Sequence, residues 1–423
     1  MASIKKISAP IAMLICINSM IGAGLFTNHM PLTQIAGPLG FMGYIFSLLI
    51  FMPIILSIAT LAKLHPVAGG LYVYSRTYLG KCAGFIGGWS YFIGKTTTVG
   101  FILHTIVRFF QECSPLLASF PTLTIDYTLM FFFVLINILG VQVGGKIQYF
   151  FTTLKAIPLL FIFIIGTLTF DASFYIINAQ NIANSLLTIS TAAFALLSFE
   201  IICSIGHLIE NPEKNIKRVI ISAFLIVTVI DVLYQFIVFG SIGPSLANVI
   251  APVLTLGLNG MPHLPILPNI INGAVFAAIT AGFFSILTSN CWNLHTLAAN
   301  NHLPFAGYLT RLSKTNVPWV SLMVQGFLAC LIITMSSNQI ALVNMSVFAQ
   351  TIALLLSVIA AYIAAVTLQN KKLSRIIPLL GIASCGFIII LSFTKILQSG
   401  VSFAFLFIFL AGGIAALVKY VRA

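Results

Sequence analysis

Charge is what this sequence has least of. Only 6% of its 423 residues are charged, and only seven are acidic, where a soluble domain carries about a quarter charged residues. No water-facing surface can be built from so few. Enzyme and nucleotide signatures are absent too: there is no G-x-x-x-x-G-K-[ST] loop, no H-E-x-x-H and no G-x-S-x-G. Serine, histidine and carboxylate positions do not converge on any one apolar segment, so neither enzymatic activity nor a cofactor is expected, and ATP-driven transport by this chain alone is disfavoured. The seven cysteines lie far apart with no C-x-x-C pair, which reads as packing rather than a metal site or disulfide framework. His104, His207, His295 and His302 show no metal-ligand spacing.

What fills the sequence is apolar residue, 60% of the total. Apolar stretches of about twenty residues recur along the chain, each able to cross a hydrocarbon core of about 30 Å as a helix. Lipid offers backbone groups no partner, and barrel strands would alternate polar with apolar, so helices are expected. The spans are placed near 10–33, 39–62, 83–107, 125–145, 148–170, 186–208, 218–240, 269–293, 317–337, 340–366, 376–395 and 400–419. The fold class is therefore all-α integral membrane, about twelve transmembrane helices in one domain over 1–423. Lys5 and Lys6 precede the first span, but no small-residue cleavage site follows a short apolar core, so that span is expected to stay in the mature protein.

The formal charge of +13 does not cluster on one face, which argues against nucleic acid. With the N-terminus inside, one side collects Lys5, Lys6, Lys63, Arg76, Lys81, Lys146 and the basic residues of 214–218, 311–314, 371–375 and 419–422. The other side holds Arg108 and Lys395. This asymmetry follows the positive-inside rule and fits an even number of crossings, with both termini cytoplasmic. The segment from Ser241 to Pro268, rich in Gly and Pro, and the residues after Pro31 are expected to form short structure at the mouth of a cavity.

Two places stand out as candidate chemistry. The first span holds Ser19-Met20-Ile21-Gly22-Ala23-Gly24-Leu25-Phe26, with two glycines near mid-membrane, each lowering helix stability by about 1 kcal/mol relative to Ala. A helix broken there would offer N–H groups and a positive dipole end to a carboxylate; close packing through small residues explains the same pattern. In the sixth span Glu200 follows Phe194-Ala195-Leu196-Leu197-Ser198-Phe199. It lies about seven residues inside the boundary, where an ionised carboxylate needs a partner or water.

These residues resemble a known family. Ile21-Gly22-Ala23-Gly24-Leu25-Phe26 resembles the first-helix G-[SA]-G-[IL]-F signature of the amino acid–polyamine–organocation (APC) transporters. Pro66-Val67-Ala68-Gly69-Gly70-Leu71-Tyr72-Val73-Tyr74 is similar to their P-x-A-G-G-x-Y-x-Y loop. Phe199-Glu200 with Glu210-Asn211-Pro212-Glu213-Lys214-Asn215-Ile216 is similar to their F-E…E-x-x-N-P-x-[KR]-x-[IL] stretch. The resemblance implies two inverted repeats of five helices, about 10–170 and 186–366, with the first helix of each unwound at its centre, and two extra helices over about 376–419. It implies secondary transport of an amino acid or related amine by alternating access, coupled to protons or to counter-substrate exchange. A non-transporting sensor or a channel on the same fold is the alternative.

Carried over by the resemblance, the backbone of Ala23 and Gly24, within Met20, Ile21, Gly22, Ala23 and Gly24, would hold a substrate carboxylate. Carbonyls of Met20, Phe194 and Leu197, with Ala195 between, would take the amino group. Phe194 stands where arginine/agmatine exchangers, the similar basic amino acid and polyamine antiporters, carry a gating tryptophan; it serves as an aromatic lid or as packing. Glu200 matches a glutamate proposed to respond to protons, or else it holds the loop after the sixth helix. Lys155 resembles the lysine that occupies a sodium position in proton-coupled relatives, or else snorkels to the surface. Lys95 departs from the pattern, falling where the arginine exchangers have a neutral, substrate-contacting asparagine. Either Glu200 pairs with Lys95, or the substrate is neutral or acidic. Asp231 matches nothing in the family and is expected to make a local hydrogen bond. The expected surroundings are the lipid bilayer of a bacterial inner membrane, with no nucleic acid and no metal; a second copy of the chain stands among the candidate partners.

Overall fold

A computed structural model of the chain describes residues 6–66, 69–139, 145–261, 263, 266–368 and 374–400, with single positions between 405 and 414. The predicted span at 400–419 lies almost wholly outside the described residues, as do Lys5, Val67, Ala68, Lys371, Lys372, Lys419 and Arg422. Among the described residues the secondary structure is helical, apart from one backbone bridge between Ile7 and Ile209. The helices are α1 (Ala9–Met20), α2 (Ala23–Thr27), α3 (His29–Ala36), α4 (Met42–Leu64), α5 (Gly70–Leu79), α6 (Lys81–Cys113), α7 (Pro115–Ala118), α8 (Thr122–Ile138) and α9 (Gly145–Leu168). They continue with α10 (Ala179–Ser185), α11 (Ile189–Leu196), α12 (Ile201–Ile205), α13 (Pro212–Ile242), α14 (Pro252–Gly260), α15 (Ile266–Ala299), α16 (Ala306–Leu309), α17 (Trp319–Met335), α18 (Gln339–Thr367) and α19 (Ile376–Gln398).

Seven helical stretches among the described residues are long and apolar enough to cross a membrane: Ala9–Thr27, Met42–Leu64, Ala179–Leu208, Pro212–Asn248, Ile266–Ala299, Gln339–Thr367 and Ile376–Gln398. Thr122–Ile138, Leu154–Leu168 and Trp319–Met335 are shorter apolar helices. Helix α6, 33 residues long, spans about 50 Å at 1.5 Å per residue, but Gly87, Gly88, Ser90, Lys95 and Thr96–Thr98 dilute its apolar character. It is a polar helix in the middle of the bundle. Large apolar side chains cover the outside: Leu49, Phe131, Phe132, Ile164, Phe327 and Ile390 are all at least 60% exposed. Such a surface suits hydrocarbon, not water.

Helices α6, α18 and α19 pack in series, α15 lies against α6 and α9, and α8 lies against α17. Helix α13 packs on both α4 and α1, while α11 packs on α4. In hydrocarbon such contacts are held by close van der Waals fit and interhelical hydrogen bonds rather than by a hydrophobic drive. The Thr98 and Ser346 hydroxyls, 2.7 Å apart between α6 and α18, are one example.

Local structure departs from expectation in one place and meets it in another. The segment after the second span, expected as a loop, is the helix α5, entered through Gly69 at φ 107° and Gly70 at φ 47°; its Leu71 and Tyr74 are buried against the bundle. The Ser241–Pro268 segment forms a 3-10 turn at Gly243–Asn248 and the short helix α14, matching the expected short structure.

Candidate functional site

Both helices expected to carry the chemistry are broken. Helix α1 ends at Met20; Ile21 turns to extended backbone (φ −71°, ψ 92°) and Gly22 takes φ −145°, ψ −142° before α2 begins. Asn28 keeps helical angles, with its N–H on Gly24 O and the Leu32 N–H on its own carbonyl. Ala23–Ala36 is therefore nearly one continuous second half. The two glycines do different work. A Cβ on Gly24 would meet the Cα of Ala195 at 2.6 Å, so Gly24 lets α2 press against α11. A Cβ on Gly22 would meet nothing within 4 Å: Gly22 marks the break and the space beside it. The helix-break and close-packing readings of the motif both hold, at different residues.

The second break follows α11. Leu197 is extended, Ser198 stands at φ 93°, and α12 starts at Ile201. A non-glycine residue at such a φ costs about 1–2 kcal/mol, so something must hold it. The Ser198 N–H, which in an unbroken helix would donate to the Phe194 carbonyl four residues back, donates to Glu200 Oε2 at 2.8 Å. Its hydroxyl accepts from Lys95 Nζ at 2.9 Å.

Lys95 and Glu200 form an ion pair at 3.0 Å, both side chains buried. The Tyr91 hydroxyl donates to the same Glu200 Oε1 at 3.0 Å, and its ring centroid lies 5.4 Å from the Lys95 ammonium. Of the two alternatives for Lys95, the pairing is the one observed. At 3.0 Å the attraction is about 5 kcal/mol for an effective dielectric near 20, set against several kcal/mol to desolvate each ion. The extra donors and acceptors around the pair offset that cost. Lys95 is thus a neutralised cation.

Lys155 plays the complementary part at the first break. The last helical N–H of α1 is that of Ile21, on Ile17 O, which leaves the Asn18 and Ile21 carbonyls without helical donors. Lys155 Nζ supplies them from α9, donating to Asn18 O at 3.3 Å, Asn18 Oδ1 at 3.1 Å and Ile21 O at 3.1 Å. It is buried, so the snorkelling alternative does not hold. An ammonium at a helix C-terminal end and a carboxylate at a helix N-terminal start each oppose the local dipole.

The breaks adjoin. Asn28 Nδ2 donates to Thr191 O on α11 at 2.9 Å, and Cys16 Sγ lies 3.9 Å from Phe199 O. Met20 and Phe194 are buried beside them, with Phe194 edge-on to Phe101 of α6 at 5.1 Å. The structure therefore gathers Met20, Ile21, Gly22, Ala23, Gly24, Lys95, Phe194, Ala195, Leu197 and Glu200 around two facing breaks, with Lys155 behind the first. Ser198, Tyr91 and Asn18 complete these contacts and are absent from the sequence reading. Tyr91 was accessible to it, lying four residues before Lys95 on the same face of α6.

Other expected features fall elsewhere. The local hydrogen bond expected for Asp231 is not made: neither carboxylate oxygen has a partner among the described residues. A buried carboxylate gains such a bond only where the fold brings a donor within hydrogen-bond distance, and the hydroxyls of Tyr44 and Tyr234, though within electrostatic reach, do not come that close. His104 is buried on Asp126 at 2.8 Å, beside a cavity of about 460 Å³ at the Cys113 end of α6 that Arg108, Thr122 and Thr334 also line. That opening is remote in sequence from the breaks. Among the described residues no group of His, Cys, Asp and Glu could hold a metal, and Cys16, Cys82, Cys203, Cys291, Cys330 and Cys385 are free.

The chain is also similar to known proteins over most of its length. A family profile described as amino acid permease matches residues 12–421. The serine/threonine exchanger SteT of Bacillus subtilis is 26% identical over 389 residues, covering 89% of this chain and 86% of that protein. The amino-acid permease RocC of the same organism is 26% identical, covering 76% and 71% respectively. Its gamma-aminobutyric acid permease is 23% identical, with coverage of 76% and 71%.

Proposed function

The chain belongs to the amino acid permease family, and on that premise we propose that it carries an amino acid with an uncharged side chain across the membrane by alternating access. The observation that carries this reading is the Lys95–Glu200 pair: it cancels the charge beside the two breaks, leaving backbone dipoles to recognise a zwitterion. The N–H groups of Ala23 and Gly24, at the start of the second half of the first broken helix, take the substrate carboxylate. The carbonyls of Met20, Phe194 and Leu197 take its ammonium, Ala195 sets the spacing of the two breaks through its contact with Gly24, and Phe194 covers the space at Gly22. A cationic side chain gains nothing from Glu200 while Lys95 holds it. The name of the serine/threonine exchanger among the relatives points the same way, to a neutral substrate and to exchange.

Proton coupling, where present, runs through Glu200 or Lys155. Protonating Glu200 removes the counter-ion of Lys95 and weakens the charge-assisted bond from the Ser198 N–H, so the proton acts on the second break directly. Deprotonating Lys155 weakens its hold on the Asn18 and Ile21 carbonyls at the first break.

A twelve-span arrangement with two inverted five-helix repeats is supported by the pairing of helices. Exchanging α1 with α11, α4 with α13, α6 with α15, α8 with α17 and α9 with α18 maps the contact of α1 with α13 onto that of α11 with α4. It also maps α9 with α15 onto α18 with α6. The charge asymmetry of the loops supports cytoplasmic termini in a bacterial inner membrane.

Counterflow in proteoliposomes, with a panel of acidic, neutral and basic amino acids, tests the reading on the native protein and on Lys95→Asn. Neutral amino acids should exchange best in the native protein, and Lys95→Asn, which frees Glu200, should raise the relative uptake of basic ones. Arginine as the best native substrate, or no saturable counterflow with any amino acid, would overturn it.

A further inference from the structure

Asp231 lies deep within α13. That helix runs 31 residues from Pro212 to Ile242, so about 16 Å of helix separates Asp231 from the nearer end at 1.5 Å per residue. The residue is buried, neither of its oxygens has a hydrogen-bond partner, and neither ion pair found among the described residues involves it.

Its neighbours share the deficit. Tyr234 and Gln235, one turn on and on the same face of α13, leave the Tyr234 hydroxyl and Gln235 Oε1 unpaired. That face meets α2 and α3: Tyr234 lies edge-on to Phe26 at 6.0 Å, and Gln235 Nε2 donates to Thr33 Oγ1 at 3.2 Å. Asn28, between those helices, keeps Oδ1 unpaired while its Nδ2 is held by Thr191 O. Tyr44 of α4 joins them, within electrostatic reach of Asp231. The unpaired oxygens of Asp231, Asn28 and Gln235 outnumber the protons that the Tyr44 and Tyr234 hydroxyls have to offer.

The two breaks show how this chain treats such a deficit. There, orphaned acceptors receive a built-in ammonium from Lys155, and the Glu200 carboxylate receives Lys95. No described lysine or arginine is paired with Asp231, and a buried charge without a partner is costly. We propose that Asp231, with the unpaired oxygens of Asn28, Tyr234 and Gln235, binds one monovalent cation, a sodium ion or a proton, at a site separate from Glu200 and Lys155. Oxygen-only ligands of this kind suit a hard cation. Binding there draws α13 toward the α2–α3 half of the first broken helix. Use of the ion to drive transport rests on the transport reading above; its binding does not.

The test is thermal stability of the purified full chain, with NaCl against N-methylglucamine chloride at equal ionic strength, at pH 8 and pH 5.5. The native midpoint should rise with sodium at pH 8 if the ion is sodium, or between pH 8 and pH 5.5 without sodium if it is a proton. Asp231→Asn should abolish that response. Tyr234→Phe, which keeps the carboxylate and the helix, should shift the half-maximal sodium concentration or pH several-fold. Other titratable groups facing Asp231 are Tyr44 and Tyr234; His29, held by Val249 O, is the control for the pH arm, and His29→Gln should leave the response in place. A native protein indifferent to both ions, or an unchanged response in both Asp231→Asn and Tyr234→Phe, would overturn the site. An ion response without amino acid counterflow would defeat the transport reading alone.

Discussion

Separating Lys95 from Glu200 should cost more than deleting both. Glu200→Gln keeps an oxygen for the Ser198 N–H but leaves the Lys95 ammonium, buried at 6% exposure, with only the Ser198 hydroxyl and the Tyr91 ring. Lys95→Met leaves the carboxylate with the Tyr91 hydroxyl and the Ser198 N–H. Breaking a buried pair from either side costs about 3–5 kcal/mol, while replacing both ions by uncharged groups of similar volume is near neutral. Lys95→Met with Glu200→Gln should therefore lose only about 1–2 kcal/mol, the value of roughly one lost hydrogen bond and its geometry, giving a coupling energy of about 4 kcal/mol or more. The cycle can be measured by unfolding in mixed micelles of rising dodecyl sulfate fraction, followed through tryptophan fluorescence, to which Trp89 on α6 contributes from the same helix as Lys95. Single-variant costs that add to the double-variant cost within about 0.5 kcal/mol would refute the pairing as the element that holds the second break.

Gly24→Ala should destabilise by about 1–3 kcal/mol, since its methyl group meets backbone at Ala195; Gly22→Ala should fold and lose uptake instead, by filling the space beside the break, and the two are separated by comparing unfolding with counterflow. Lys155→Met should cost about 1–3 kcal/mol for each carbonyl it orphans, and Lys155→Arg should recover part of the loss in the same unfolding assay; equal stability of Lys155→Met and native protein would remove the lysine from the first break.

The features legible in the sequence were those that depend on one segment alone. Apolar length marked the spans, and the Gly22-Ala23-Gly24 run located the first break. The depth of Glu200 marked it as a residue needing a partner. Pairings across the chain were not legible: Lys155 and Asn18 are 137 residues apart, and nothing in either segment names the other. Lys95 announced a charge to be neutralised, and only the fold chose Glu200, on a distant segment, over a substrate. Ser198 was invisible because serine gives no signal of a positive φ; the conformation is imposed by Lys95 and Glu200 from outside. Asp231 was misread because a polar residue in an apolar helix predicts a need and not its satisfaction: on the same face Gln235 donates from Nε2 to Thr33 and the Tyr234 hydroxyl is left unpaired.

Backbone contacts set the way these parts can move. Ile7, just before α1, donates to Leu208 O at 2.8 Å and accepts from the Glu210 N–H at 2.9 Å, just after α12. The first half of one broken helix and the second half of the other are thereby clipped at one end of the molecule. Their other halves, α2–α3 and α11, are joined through Asn28 and the Gly24–Ala195 contact. The breaks therefore divide the pair into two units, α1 with α12 and α2–α3 with α11, each tied internally by contacts that the extended residues Ile21 and Leu197 do not supply between them. Under the transport reading, access alternates when one unit tilts against the other about Gly22 and Ser198. Lys155 and Lys95, on helices outside both units, hold the hinges rather than either half. Opening the clipped end must carry α1 and α12 together, or first break these two backbone hydrogen bonds, each worth about 0.5–1.5 kcal/mol net.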